Sequence, residues 1–317
     1  MPFAPRHIHR SRVYRRERLE SVIRFHSSLV ESQKRVNSIK MAKLSDVTLG
    51  FLGAGNMAQA IGLGLIKSGT LKSSQIIVFA PSERCFSPWR AASIETTHCI
   101  SSVFNKAQVV FLGMKPQMLD QFLLDAEREK AKPSKSILFV SLLVGTTLST
   151  LEKKIESNFG KGHRIIRVMP NTPLMVGAGC SAVCHQLGKD SEDVALVKAV
   201  MSQNGTVSEI PESLISTFAA LAGSGPAYGF IIIEALADGA VKNGMPRDMA
   251  LQLAAQTMAG ASKMVLETNT HPGQLKDQVC SPGGTTIAAV YALEKAGIRG
   301  GMMDAINAAV ARSKEMS

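Results

Sequence analysis

The chain has 317 residues, 45% of them hydrophobic and 19% charged. That balance suits one large or two medium domains with real cores and excludes a disordered chain. The formal net charge is +11, but residues 1–40 hold ten Lys or Arg against three Glu and so carry +7 of it. The body is close to neutral, which argues against a nucleic-acid-binding fold. No uninterrupted apolar run approaches the ~18 residues that span a bilayer. The most apolar stretch, 230–241, is broken by Glu234 and Asp238, so the expectation is a soluble protein without a membrane partner.

Residues 1–40 show no helical or strand period. Arginines recur at 6, 10, 12, 15, 16, 18 and 24, with Ser and His between them. Mitochondrial presequences have this composition, although Glu17 and Glu20 count against one here. The competing reading is a disordered basic extension ahead of a start at Met41. The first reading makes the protein mitochondrial; the second, which we favour, makes it cytoplasmic. Cys85, Cys99, Cys180, Cys184 and Cys280 are odd in number and form no CxxC pair. They predict free thiols in a reducing compartment. Cys180, Cys184 and His185 cluster in sequence, but no second ligand pair follows, so no metal is expected.

From Met41 the pattern changes. Short β-rich runs at 47–52, 76–79, 109–112, 137–140 and 164–168 alternate with helical stretches, among them one ending at Lys67 and others at 117–129 and 150–157. Such alternation predicts an α/β fold with a parallel sheet covered on both faces. After about residue 208 only helices are expected, at 212–222, 226–243, 246–267, 285–296 and 299–315. We therefore divide the chain into the extension 1–40, a Rossmann-type dinucleotide-binding domain at 41–208 and an all-α domain at 209–317. Pro226 and Pro246 suit first-turn positions, where a missing N–H costs nothing. Several helices are apolar nearly all round, and about 110 residues cannot bury that surface internally. They are expected to pack against the same helices of a second subunit.

The run 48–52 leads straight into Gly53-x-Gly55-x-x-Ala58, and a helix follows. Gly53 permits the tight turn. Gly55 lets the backbone approach a pyrophosphate, and Ala58 still allows close helix–strand packing. The helix N-terminus then offers N–H groups and a positive dipole end to phosphate. The second strand ends Val78-Phe79-Ala80 and continues Pro81-Ser82-Glu83-Arg84. NAD-binding chains usually end this strand with an acid that holds the ribose 2′-hydroxyl. Here the next position is not acidic, Ser82 can donate to a 2′-phosphate and Arg84 can pair with it. NADPH is favoured over NADH, unless one residue of register turns Glu83 toward the ribose.

Three further segments read as ligand loops. Gly113-Met114-Lys115-Pro116 follows a strand, where such sheets line their crevice; Lys115 either anchors the cofactor or caps the strand. Met169-Pro170-Asn171-Thr172-Pro173 is stiffened by two prolines, and either holds Asn171 for a ligand or is a structural turn. Ala222 to Ala227 and Ser281-Pro282-Gly283-Gly284-Thr285-Thr286 each open a helix. Gly283 and Gly284 expose backbone N–H groups there, a site for a carboxylate. His271, beside Pro272 and Gly273, reads as a structural turn.

Taken in order, GAGNMA at 53–58, KP at 115–116, MPNTP at 169–173, GSGPAY at 223–228, HPGQLKD at 271–277 and the SPGGTT run through Glu294 resemble the Δ1-pyrroline-5-carboxylate reductases. The resemblance covers about residues 46–315. It implies reduction of 1-pyrroline-5-carboxylate to L-proline with NAD(P)H, the last step of proline biosynthesis. It also implies a Rossmann domain followed by a helical dimerisation domain, with dimers that often assemble into decamers. Carried over by position, it places Leu52, Gly53, Ala54, Gly55, Asn56, Met57 and Ala58 at the cofactor. Ser82, Gly113, Met114, Lys115, Pro116, Leu142, Leu143 and Val144 join them, with Arg84 added from the strand ending. It gives Gly283, Gly284, Thr285 and Thr286 to the substrate carboxylate, with the Thr286 hydroxyl on the ring nitrogen as the catalytic contact. Ile100 stands where many members have an Asn near the adenosine ribose, and Asn269 where some have Glu.

Hydride transfer to a cyclic imine asks little of the protein beyond positioning. A protonated imine is already electrophilic, and the candidate loops contain no His–Asp pair. A β-hydroxyacid dehydrogenase, the nearest rival, needs a base, usually Lys on the first long helix after the sheet. The helix at 226–242 has no Lys until its end. A non-catalytic dinucleotide sensor would not need the SPGGTT loop.

Overall fold

The computed structural model describes Leu44, residues 46–188 and residues 191–315. The basic segment 1–40 and Met41 lie outside the described residues, with the targeting question they raise. Eight strands form one sheet in the order β3-β2-β1-β4-β5-β6-β7-β8. They are β1 Leu49–Leu52, β2 Ile76–Phe79, β3 Glu95–Thr97, β4 Val109–Leu112, β5 Leu138–Ser141, β6 Arg164–Pro170, β7 Gly179–His185 and β8 Gly205–Glu209. The first six pair in parallel. Order 3-2-1-4-5-6 is the doubly wound dinucleotide-binding arrangement, with its crevice at the switch between β1 and β4.

Both faces of the sheet are apolar, and the alternation is strict. Leu49, Phe51, Ile76, Val78, Val109 and Phe111 point to one face, where they meet Ile61 and Leu65 of helix α1, Asn56–Lys67. Leu52, Ile77, Val110 and Leu112 point to the other, against Val103, Phe122 and Leu151. Strands buried on both sides read as continuous apolar runs, so β1, β2 and β4 were legible in the sequence. The edge strands β3 and β8 were not, because all of their residues are exposed or half-buried and they lack that signature. The sheet also ends differently from expectation, since β7 runs antiparallel to β6. Only residues 171–178 join them, too few for a crossover helix. A helix at Glu192–Met201 then allows β8 to lie parallel to β7.

Beyond β8 the chain is helical. Where one helix was expected over 212–222, there is a 3-10 turn at Glu212–Leu214, a short helix at Ile215–Phe218 and a π-helical turn at Ala219–Gly223. Long helices follow at Gly225–Lys242, Arg247–Thr268 and Ile298–Glu315, with shorter ones at Pro272–Val279 and Thr285–Lys295. The helix at 272–279 corrects the turn expected at Pro272 and Gly273. His271 is its N-cap and accepts from the Gly273 N–H, while Pro272 takes the first turn. Asn269 ends the preceding long helix with φ +51°. Asn is among the few residues that tolerate this left-handed cap, which gives the Asn at this position a physical reason.

Arg167, buried on β6, pairs at 2.7 Å with Glu212, whose carboxylate also accepts the Leu148 N–H. This pair ties the sheet to the first helical turn. The rest of the helical region has little core of its own: its separate cluster of buried residues comprises Ala237, Ala250 and Ala254. Phe230, Ile231, Leu221 and Leu266 stand 65–79% exposed. The stretch Glu212–Lys242 is, by length and composition, apolar enough to cross a membrane, and 6% of its most apolar window is buried within the chain. That corrects the sequence reading, which counted uninterrupted apolar residues; an average over 18 residues tolerates Glu234 and Asp238. Apolar helix faces of this extent are what subunit packing covers. Phe230→Glu is expected to convert the assembly to monomers in analytical ultracentrifugation. Ala255→Glu, also on an exposed position, should act alike; unchanged sedimentation of both variants would contradict this packing.

Candidate active site

The turn after β1 is fixed by three contacts. The Gly53 N–H donates to the Phe79 carbonyl at 2.9 Å, tying it to β2. Gly53 has φ +114°, and a Cβ there would lie 2.6 Å from the Gly113 backbone. A side chain is therefore excluded twice, by conformation and by the neighbouring strand end. The Ala54 carbonyl accepts from the Trp89 indole N–H at 3.2 Å and from Gln59 Nε2 at 2.8 Å. Trp89 is fully buried and is the chain's one tryptophan. Sequence reasoning missed it, because nothing local links it to a turn 35 residues away.

Gly55 is the N-cap of α1 and has no side-chain cap. A Cβ on it would meet nothing within 4 Å. Open space thus faces the uncapped N–H groups at a helix N-terminus, which fits a pyrophosphate. The other expected cofactor residues divide by exposure. Leu52, Ala54, Ala58 and Leu143 are buried, so only their backbone can face a ligand. Asn56, Ser82, Arg84, Lys115 and Val144 are exposed, and Met57, Gly113, Met114, Pro116 and Leu142 half-buried. Ile100, placed by the sequence at the adenosine ribose, has its side chain in the core, so it offers the ribose nothing.

Ala80 stands directly after β2, where an acidic residue would hold a ribose. It is buried, and its N–H donates to Thr97. Glu83 lies beyond, and its carboxylate accepts from both terminal nitrogens of Arg90 and from His98 Nε2 at 3.0 Å. These hydrogen bonds, Arg90 first, hold its pKa down at about 2. His98 Nδ1 donates to the Ala80 carbonyl at 2.7 Å, and this bond, with Glu83 second, raises the His98 pKa above its ordinary 6.5. Both bonds are made together only by the charged ring, so this contribution is full below the ordinary value and is lost as pH rises through the raised one, when the neutral ring keeps one of its two N–H groups. Arg84 is exposed and forms no ion pair among the described residues.

A cleft of about 420 Å³ opens beside this turn. It is lined by Met57 of the turn, Val144 and Gly145 after β5, residues 169–172 at the end of β6 and just beyond it, Gly223 and Ser224 at the end of the π-helical turn, and Arg312 of the last helix. Asn171 joins these parts. Its Nδ2 donates to the Ala222 carbonyl at 2.9 Å and its Oδ1 accepts the Cys180 N–H at 2.8 Å. These bonds tie the MPNTP loop to the residue that precedes the GSGP segment and make Asn171 an anchor at the cleft wall. Gly283, Gly284, Thr285 and Thr286 are not among the residues that line it. Their loop is tight: Gly283 has φ +69°, and a Cβ on Gly284 would collide with Ser281 Oγ. Gly284 caps the helix Thr285–Lys295 without a side-chain bond, and its own N–H donates to the Ser281 carbonyl, so it is the N–H groups of the first helical turn that stay open to an anion. Thr285 is exposed and Thr286 half-buried.

A doubly wound sheet, a glycine turn against the switch point and a cleft at the strands' C-terminal ends define a dinucleotide-dependent oxidoreductase. Comparison with known proteins narrows the class. Residues 212–316 match the family profile described as pyrroline-5-carboxylate reductase dimerisation, and residues 48–145 the one described as NADP oxidoreductase, coenzyme F420-dependent. The pyrroline-5-carboxylate reductase of Pisum sativum is 41% identical over 278 residues, which cover 86% of this chain and 98% of that protein. The enzyme of Synechocystis is 40% identical, covering 85% and 98%. Among solved structures, the reductase from Coxiella burnetii superposes with a TM-score of 0.77 at 36% identity, over 86% of this chain and 98% of that one. The Plasmodium falciparum pyrroline carboxylate reductase, solved with NADP bound, gives 0.73 at 29%, with the same coverage. The chain belongs to the pyrroline-5-carboxylate reductase family. It is an NAD(P)H-dependent reductase of proline biosynthesis and forms homo-oligomers through its helical region.

Trp89→Phe removes one of two donors to the Ala54 carbonyl and is expected to cost about 1 kcal/mol of stability. Dinucleotide affinity should fall with it, and in the wild-type chain dinucleotide binding should change the fluorescence of this single tryptophan. A W89F variant with unaltered melting and affinity would remove Trp89 from the site.

Proposed function

We propose that the chain reduces 1-pyrroline-5-carboxylate with NADPH in preference to NADH, in a site completed by a second subunit. The observation that carries the second half is the place of the SPGGTT loop. It has the chemistry of a carboxylate site, yet it stays outside the lining of its own chain's cleft, on a helical region that needs a partner to bury its apolar faces. A partner subunit that covers those faces can bring its own loop over the cleft.

In this reading the turn at 53–58 and the loops at 113–116 and 142–144 hold the dinucleotide, which supplies the hydride when bound. Ser82 and Arg84 face the adenosine end, where Ala80 leaves no acid to grip a 2′-hydroxyl. The backbone N–H groups of Thr285 and Thr286 receive the substrate carboxylate, while that of Gly284 donates to the Ser281 carbonyl at 3.1 Å, and Gly283 permits the turn that exposes them. The Thr286 hydroxyl orients the ring nitrogen. Ser224 and the Asn171-anchored loop close the cleft wall and limit water. The imine nitrogen needs one proton in the overall reduction, and a substrate already protonated in solution brings it. Positioning alone can then account for several kcal/mol of barrier lowering, which suits a site without a strong acid.

Steady-state assays with NADPH and pyrroline-5-carboxylate test the assignment. Thr286→Ala is expected to lower kcat about tenfold or more, the cost of one hydrogen bond at the reacting group, with a much smaller effect on the KM for NADPH. Wild-type kinetics in that variant would refute the role given to Thr286.

A further inference from the structure

The end of β2 holds an acidic residue that the dinucleotide reading leaves unexplained. A carboxylate near an adenosine ribose ordinarily accepts from the 2′-hydroxyl and repels a 2′-phosphate. Glu83 is four residues past the end of β2 and exposed, so sequence alone leaves it free to take that role. The structure turns it elsewhere. Its partners come from the β3 side of the sheet: His98 just beyond β3, and Arg90 on the short helix Ser87–Ala91. The crevice between β1 and β4 lies on the opposite side of β2.

Arg90 is itself fixed on three sides. Its terminal nitrogens meet both Glu83 oxygens, its Nε donates to Thr96 Oγ1 at 3.1 Å, and its guanidinium lies 5.2 Å from the centre of the buried Phe86 ring. The His98 ring is 5.1 Å from the same Phe86 and is bonded at both nitrogens. A bidentate carboxylate held by a preorganised guanidinium and an imidazole has its acceptor capacity directed at them rather than at a ribose.

We propose that the Glu83–Arg90–His98 cluster sets cofactor choice, by drawing the carboxylate that follows β2 toward β3 and leaving Ser82 and Arg84 to face a 2′-phosphate. Arg90 and His98 are positioning residues that act through Glu83. The proposal rests on the NADPH reading above and names the device behind it.

Calorimetric titration of the full chain with NADP+ and with NAD+ tests it, apart from any measurement of turnover. The wild-type chain binds NADP+ more tightly. Arg90→Met releases Glu83 and lowers the NADP+ to NAD+ affinity ratio about tenfold, the scale of one uncompensated like-charge contact near the phosphate. His98→Gln removes one of the carboxylate's three donors and lowers the ratio less. Adding Glu83→Gln to Arg90→Met restores the ratio to within about twofold, as a double-mutant cycle requires when one residue acts through the other. Arg90 is about half-exposed, and melting curves confirm that the variants fold. An unchanged ratio in Arg90→Met overturns the proposal. So does a double variant as impaired as the single one, since Arg90 would then hold the phosphate itself. A wild-type chain that binds neither dinucleotide contradicts the cofactor reading instead, and a wild-type chain without preference contradicts both.

Discussion

The backbone of Gly53 passes so close to that of Gly113 that no side chain fits between them. This contact is the seam of the molecule. It forms because β1 and β4 are parallel neighbours in register, Leu52 opposite Leu112, so their following loops emerge side by side. The seam aims the first helix N-terminus into the crevice, and the Trp89 indole braces it from below. The buried, doubly apolar strands exist to hold it rigid: Phe51 and Phe111 stack at 4.9 Å directly beneath it.

The second constraint is a deficit. Sheet residues bury two full clusters, whereas the helices after Glu209 share a separate core of three alanines. The ion pair between buried Arg167 and half-buried Glu212, and the Asn171 bridge, fix where those helices leave the sheet, but they do not cover them. Oligomerisation is therefore part of the fold's own energetics. The same deficit accounts for the SPGGTT loop standing outside the lining of its own chain's cleft, although it and the β1 turn are both uncapped helix N-termini.

How much of this was legible in the sequence follows from how local each feature is. The β1 turn could be read because its glycines and the flanking strand and helix are consecutive. So could β1, β2 and β4, whose four residues each are all buried. The polar edge strands β3 and β8 could not, and neither could the reversal of β7, which depends on the length of a connection. His271 read as a turn because Pro272 and Gly273 are turn formers; the structure uses them in the first turn of a helix that His271 caps. Residues that act across distance were beyond a single pass along the chain. Trp89 reaches back 35 positions, and the direction of Glu83 depends on His98, which only the β2–β3 pairing brings beside it.

In the site proposed above, the dinucleotide turn and the SPGGTT loop come from different subunits of one oligomer. Mixing two inactive chains measures this directly. Gly55→Trp fills the open phosphate cradle, and Thr286→Trp blocks the carboxylate loop. After the two are unfolded and refolded together, hybrid oligomers contain sites with an unaltered turn from one chain and an unaltered loop from the other. NADPH oxidation with pyrroline-5-carboxylate is expected to reappear in the mixture and in neither variant alone. A mixture as inactive as its components, with hybrids verified by mass, would contradict it and place the whole site within one chain.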